Sequence, residues 1–153
     1  MIYVPDTNVF SAYLSGRSKQ LNDRMSSAFA AGELRLSVMV LAELEFGAEK
    51  ARQTLGETKF VRRVEQLRKQ IELEPLGLSF PQCYAKVRAG LEAEGKKIGD
   101  RDTIIASHAL SLGATMVTAN VGEFSRIPGL VVENWELEAP PGQKMCANPA
   151  AGC

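Results

Sequence analysis

Three carboxylates in this chain stand where chemistry can happen: Asp6, Glu43 and Asp102. Asp6 follows Ile2-Tyr3-Val4-Pro5 and precedes Thr7, Asn8 and the apolar positions Val9, Phe10, Tyr13 and Leu14. A short apolar run rich in β-branched and aromatic residues reads as a buried strand. Pro5 marks its end because proline cannot donate to a ladder, and Thr7 and Asn8 are helix-capping types. Asp6 therefore lies at the carboxyl edge of a strand, where open α/β sheets bind ligands. Read alone, it is either a helix cap or the first acid of a site. Glu43 is the first acid to interrupt a helical stretch, 38–50, that is apolar almost all round in its first turns. A carboxylate in such a setting costs several kcal/mol unless it is paired, metal-bound or partly exposed. Asp102 opens the helical stretch 104–112, and the strand after that helix, 115–118, delivers Thr118 and Asn120 toward what should be the same edge.

Carboxylates that converge without basic partners repel one another, and a hard divalent cation resolves the repulsion. Mg²⁺ takes oxygen ligands, keeps several waters, and uses one or two carboxylates together with phosphate oxygens. Held so, it can activate water and stabilise charge on a phosphodiester. The acids are far apart in sequence, so their convergence depends on the fold. No histidine offers itself as a base: the only one, His108, lies well inside a helix, as packing or as surface.

The elements that must position these acids are legible from periodicity. Leu21, Met25, Ala28 and Phe29 share one helical face that ends near Gly32. A strand is expected over 34–36, with Ser37 able to cap the helix that carries Glu43. Phe60, Val64, Leu67 and Ile71 mark an amphipathic helix whose basic residues form a solvated face. A short strand and turn over 73–78 and a helix opened by Pro81 and ended by Gly95 follow. After the strand 115–118 comes a last one, 130–132, with Trp135 packed beside it. Strands alternating with helices imply one α/β domain with a short, mostly parallel central sheet of about four to five strands, flanked by helices on both faces. That domain is expected to occupy 1–136, leaving 137–153, rich in Pro, Gly and Ala, as a loose C-terminal tail.

Composition narrows the function classes without choosing among them. The 153 residues are 45% hydrophobic and 24% charged, with 18 basic and 18 acidic side chains, so bulk electrostatics give no case for nucleic-acid binding and any phosphate-binding surface must be local. No apolar run approaches the ~18 residues of a membrane span, and nothing reads as a signal peptide, so a cytoplasmic protein without membrane contact is expected. Cys83, Cys146 and Cys153 suggest neither a disulfide framework nor a zinc site.

Five stretches, taken together, resemble a known family: Asp6-Thr7-Asn8; Leu41-Ala42-Glu43-Leu44 with Phe46-Gly47; Ile98-Gly99 followed by Asp102 and Ile104-Ile105-Ala106; Val117-Thr118-Ala119-Asn120 with Glu123-Phe124; and Ile127-Pro128-Gly129-Leu130 with Glu133-Asn134-Trp135. From about Ile2 to Trp135 the set is similar to the PIN-domain ribonucleases, and within them to the VapC-type toxins of bacterial toxin-antitoxin pairs. The resemblance implies a Mg²⁺- or Mn²⁺-dependent endoribonuclease acting on tRNA or other structured RNA, a cognate antitoxin as its inhibitor, and a homodimer. It makes Asp6 and Asp102 the principal metal-binding acids and Glu43 the third. The family's fourth acidic or amide position falls on Asn120, an amide, with Glu123 slightly later, which puts a second metal in doubt. Asp100 is the rival of Asp102 in the same loop and is otherwise a helix cap or an outer acid. Thr7, Asn8, Thr118 and Asn120 would orient the carboxylates or water. Arg17, Lys19, Lys96, Lys97 and Arg101 are either phosphate holders at the crevice or ordinary solvated charge. The alternative reading is a catalytically weak or inactive PIN-like module that binds RNA or protein. A receiver-like phosphoacceptor fits poorly, since no Lys lies between Lys97 and Lys144.

Overall fold

The computed structural model describes residues 1–137, so the tail expected at the C-terminus lies outside the described residues apart from Leu137. Two parallel ladders form the sheet. In one, β1 (Tyr3–Pro5) pairs with β4 (Thr115–Val117), and β4 with β5 (Val131–Glu133). In the other, β2 (Leu36–Ser37) pairs with β3 (Leu73–Glu74). A parallel bridge between Tyr3 and Leu34 joins them, with Tyr3 N–H donating to the Glu33 carbonyl and Arg35 N–H to the Tyr3 carbonyl. The strands therefore run 3-2-1-4-5, all parallel, within the four to five expected.

The strand order reverses between β1 and β4. Steps from β1 to β2 to β3 move one way across the sheet and the step from β3 to β4 moves the other way, so right-handed crossovers put the intervening helices on opposite faces. The first group is α1 (Thr7–Ser15), α2 (Lys19–Ala30), α3 (Val38–Leu55) and α4 (Lys59–Gln70), and the second is α5 (Phe80–Ala93) and α6 (Asp100–Ser111). A short α7 (Val121–Phe124) links β4 to β5. Ser18, Ser37 and Thr58 cap α2, α3 and α4 by accepting the N–H groups of Leu21, Met39 and Val61.

Phe10, Leu36, Leu44, Ile105, Met116 and Val4 are fully buried between sheet and helices, and each large apolar side chain so buried contributes about 1.5–3 kcal/mol. Trp135 closes the far end edge-on against Tyr3, ring centroids 4.8 Å apart. Among the described residues no helix is long and apolar enough to cross a membrane.

Several boundaries differ from the sequence reading. The Glu43 helix runs five residues beyond 50, to Leu55, ending at Gly56 with φ 77°, and α6 begins at Asp100 rather than at 104. The 73–78 strand stops at Glu74, because Pro75 cannot extend a ladder. Cys83 is buried on α5.

Candidate active site

The carboxyl ends of β1 and β4 lie side by side at the reversal of strand order, the place where open α/β sheets hold ligands. Asp6 leaves β1 there. Its N–H donates to the Val117 carbonyl at 2.9 Å, and its Oδ1 accepts the Val9 N–H at 2.8 Å. Asp6 is thus the N-cap of α1 and a buried acid at once, only 6% exposed. Thr7 is the first helical residue and no cap; its hydroxyl instead donates to Glu43 Oε2. Asn8 is exposed and gives Asp6 a backbone N–H. Burial pushes the Asp6 carboxyl above the usual range, although the Thr118 hydroxyl and the N–H groups of Val9 and Asn8 pull the other way.

Thr118 comes from the end of β4, fully buried, and its oxygen also accepts the Asn120 N–H at 3.0 Å. The hydroxyl therefore locks the Asp6 carboxylate to the turn after β4. Asn120 is exposed, and its side-chain amide donates to Glu123.

Asp102 sits in the first turn of α6, where the helix dipole favours an acid. Burial raises its carboxyl first, and then the negative charges of Asp6, Glu123 and Glu43; the Arg101 guanidinium opposes them. Three acids from three separate stretches therefore act on a fourth, Asp102. A side chain at position 99 would press on this acid, since a Cβ on Gly99 would lie 3.3 Å from Asp102 Oδ2. Asp100, the rival, is exposed, and the cap position it was offered belongs to Gly99.

Glu43 reaches the same edge from α3. Both of its oxygens are engaged: Oε2 by Thr7, and Oε1 by Arg101 Nε at 3.3 Å. Among the described residues no three His, Cys, Asp or Glu side chains stand together as a ready metal-holding group. The donor chemistry nonetheless fits a hard cation, because every acid here offers carboxylate oxygens and two of them are raised by burial.

The basic residues divide. Arg101 stands at the acids, and Arg17 lies 3.7 Å from Glu136. Lys19 pairs instead with Asp23 on α2, and Lys96 and Lys97, in the loop after α5, pair with Glu94 and Glu92. Glu136 is the residue the sequence reading missed: its charge reaches Asp6. It follows Trp135 in a stretch with no periodicity, and the docking of β5 on β4 and the packing of Trp135 on Tyr3 bring it back to β1. His108 is packing, fully buried between Ser37 and the Pro75 carbonyl.

Fold and site together define a parallel α/β protein with an acidic site at the switch point of its sheet. Its relatives carry the same outline. A PIN-domain model matches residues 3–130. Ribonuclease VapC2 of Rickettsia felis is 31% identical over 89% of this chain and 99% of its own length. Ribonuclease VapC1 of Haemophilus influenzae is 33% identical over 88% of this chain and 98% of its own. A protein of Salmonella typhimurium named tRNA(fMet)-specific endonuclease VapC is 29% identical over 87% of this chain and 97% of its own length. The crystal structure of Rickettsia felis VapBC2 bound to a promoter DNA fragment superposes on 88% of this chain and 99% of the chain matched, at a TM-score of 0.80 and 31% identity. The chain belongs to the PIN-domain family, among its VapC toxins.

Proposed function

We propose that the chain is a Mg²⁺-dependent endoribonuclease toxin that hydrolyses phosphodiester bonds in RNA, with Mn²⁺ as a second usable ion. The observation that carries this reading is Asp102, whose carboxyl is raised by burial and then by the charges of Asp6, Glu123 and Glu43 at the switch point of the sheet. Asp6, Asp102 and Glu43 would hold the cation. When bound there, a divalent ion activates a water and stabilises charge on the phosphodiester. The chain's own part is positioning. Thr118 fixes the Asp6 carboxylate against the turn after β4, Thr7 orients Glu43, and Asn120 holds Glu123 toward the acids.

The name of the Salmonella typhimurium relative makes tRNA the first substrate to try. The Rickettsia felis VapBC2 structure supports a cognate antitoxin as partner, and a homodimer acting in the cytoplasm completes the proposal. The engagement of both Glu43 oxygens favours a second reading, a PIN-like module that binds without turnover. One experiment separates them: incubation of purified protein with total tRNA and a structured control RNA, in Mg²⁺, Mn²⁺ or EDTA, beside Asp6→Asn. Discrete fragments that require the cation and vanish in the variant establish the nuclease. Intact RNA, with folding and cation binding verified, gives the binding module.

A further inference from the structure

We infer that Arg101 is a built-in counter-cation of the acid cluster, which a divalent ion displaces from Glu43 and which then holds an RNA phosphate beside the scissile one. The inference rests on the ribonuclease reading for its RNA half alone; the exchange with the ion stands apart from it.

Arg101 precedes Asp102 in the first turn of α6, and its guanidinium pairs with Glu43 of α3. It meets Glu43 Oε1 through Nε, at 3.3 Å, while its own side chain is 67% exposed and that of Glu43 only 16%. Two consequences follow from that geometry. Contact through Nε leaves the outer Nη fork of the guanidinium uncommitted to Glu43, and that fork has the planar, two-donor shape that fits a phosphate. Ion pairs made by so exposed a side chain are weak and exchange readily. A divalent ion at the acids competes with Arg101 for the same Glu43 oxygen, so the two charges exclude each other. The released guanidinium stays tethered to α6, one residue from Asp102, with a phosphodiester backbone as its natural acceptor.

The inference makes opposite predictions for two ligands. Arg101→Gln, on an exposed helical position, should bind Mn²⁺ several-fold more tightly by calorimetry on the protein alone. The same variant should bind unfractionated tRNA in saturating Mn²⁺, measured on ice before cleavage sets in, several-fold more weakly, with the slope of log affinity against log salt smaller by about one. Arg101→Lys keeps the charge without the fork, so its Mn²⁺ affinity should stay near wild type and its tRNA affinity fall between the two. Unchanged or weaker Mn²⁺ binding in Arg101→Gln overturns the exchange. Unchanged tRNA affinity and slope overturn the phosphate contact. If the wild type binds Mn²⁺ yet cleaves no RNA, the ribonuclease reading falls while the Mn²⁺ comparison still decides the exchange.

Discussion

Asp6 resolves a choice that its neighbours in sequence leave open. A helix cap and a site acid were alternatives for it, and it is placed to be both: one oxygen holds the first turn of α1, and the carboxyl is buried at the switch point. That double use sets its pH behaviour. Without a cation the folded carboxyl binds its proton more tightly than the unfolded one, so its contribution to stability is fully present below the ordinary value of 3.8 and is lost as pH rises through the raised value. Asp102 behaves in the same sense. Asparagine is isosteric, still caps a helix, and carries no charge to desolvate. In EDTA, Asp6→Asn should therefore melt above wild type at pH 7, with the difference shrinking toward pH 4; a variant that melts lower at pH 7 refutes the buried-charge account. Its cleavage of tRNA should fall by at least about 100-fold, the upper end of what loss of a mere outer partner costs at a metal site. Thr118→Val tests that outer partner. It removes the hydroxyl from Asp6 and leaves the Asn120 N–H without its acceptor, which should cost roughly 1–3 kcal/mol in urea unfolding and about 10–100-fold in cleavage rate.

Elements were legible in kind and blurred at their ends. The helix carrying Glu43 declared itself through its apolar first turns and Ser37 before them, and Ser37 does cap it. The start of α6 was misplaced because Gly99 caps without a side-chain acceptor; the requirement it meets is lack of bulk beside Asp102, which no propensity encodes. His108 shows what periodicity omits. It reads as helical packing, and the structure adds a chain of hydrogen bonds that pins three elements: Met39 N–H to Ser37 Oγ, Ser37 Oγ to His108 Nδ1, and His108 Nε2 to the Pro75 carbonyl. A neutral ring satisfies that chain, with Nε2 donating and Nδ1 accepting. Burial holds His108 below its ordinary 6.5, so the folded state takes up the proton less readily, and stability present above 6.5 is lost as pH falls through the depressed value. Urea midpoints should drop between pH 7 and pH 5 in the wild type, and His108→Gln should flatten that slope while lowering the midpoint at pH 7. A slope unchanged by the substitution assigns the acid sensitivity elsewhere. The trend is opposite in sign to that of the acid site, so the two are separable by variant.

At the scale of the molecule, what the sequence hides is convergence. The parallel alternation of strands and helices was readable throughout, but the meeting of Asp6, Glu43, Asp102 and Glu123 depends on the 3-2-1-4-5 strand order, which sets β1 beside β4 across more than a hundred residues of chain. The same long range makes Glu136 unreadable, since it reaches Asp6 only after β5 has docked on β4. A cation at the acids would therefore tie together elements from nearly the whole length of the chain, and its binding free energy would stabilise all of them at once. Saturation with Mg²⁺ or Mn²⁺ at about 100 times the dissociation constant should add about 2.7 kcal/mol, a rise in Tm of roughly 5–10 °C for a chain of this size. The rise should disappear in EDTA and shrink sharply in Asp6→Asn and Asp102→Asn. In Asp100→Asn it should survive, because that carboxylate is exposed and Gly99, not Asp100, caps the helix. Equal loss of the thermal shift in Asp100→Asn and Asp102→Asn would move the cation out to the mouth of the crevice. Loss in Asp102→Asn alone keeps it at the carboxyl ends of β1 and β4, where the repulsion among the acids is greatest.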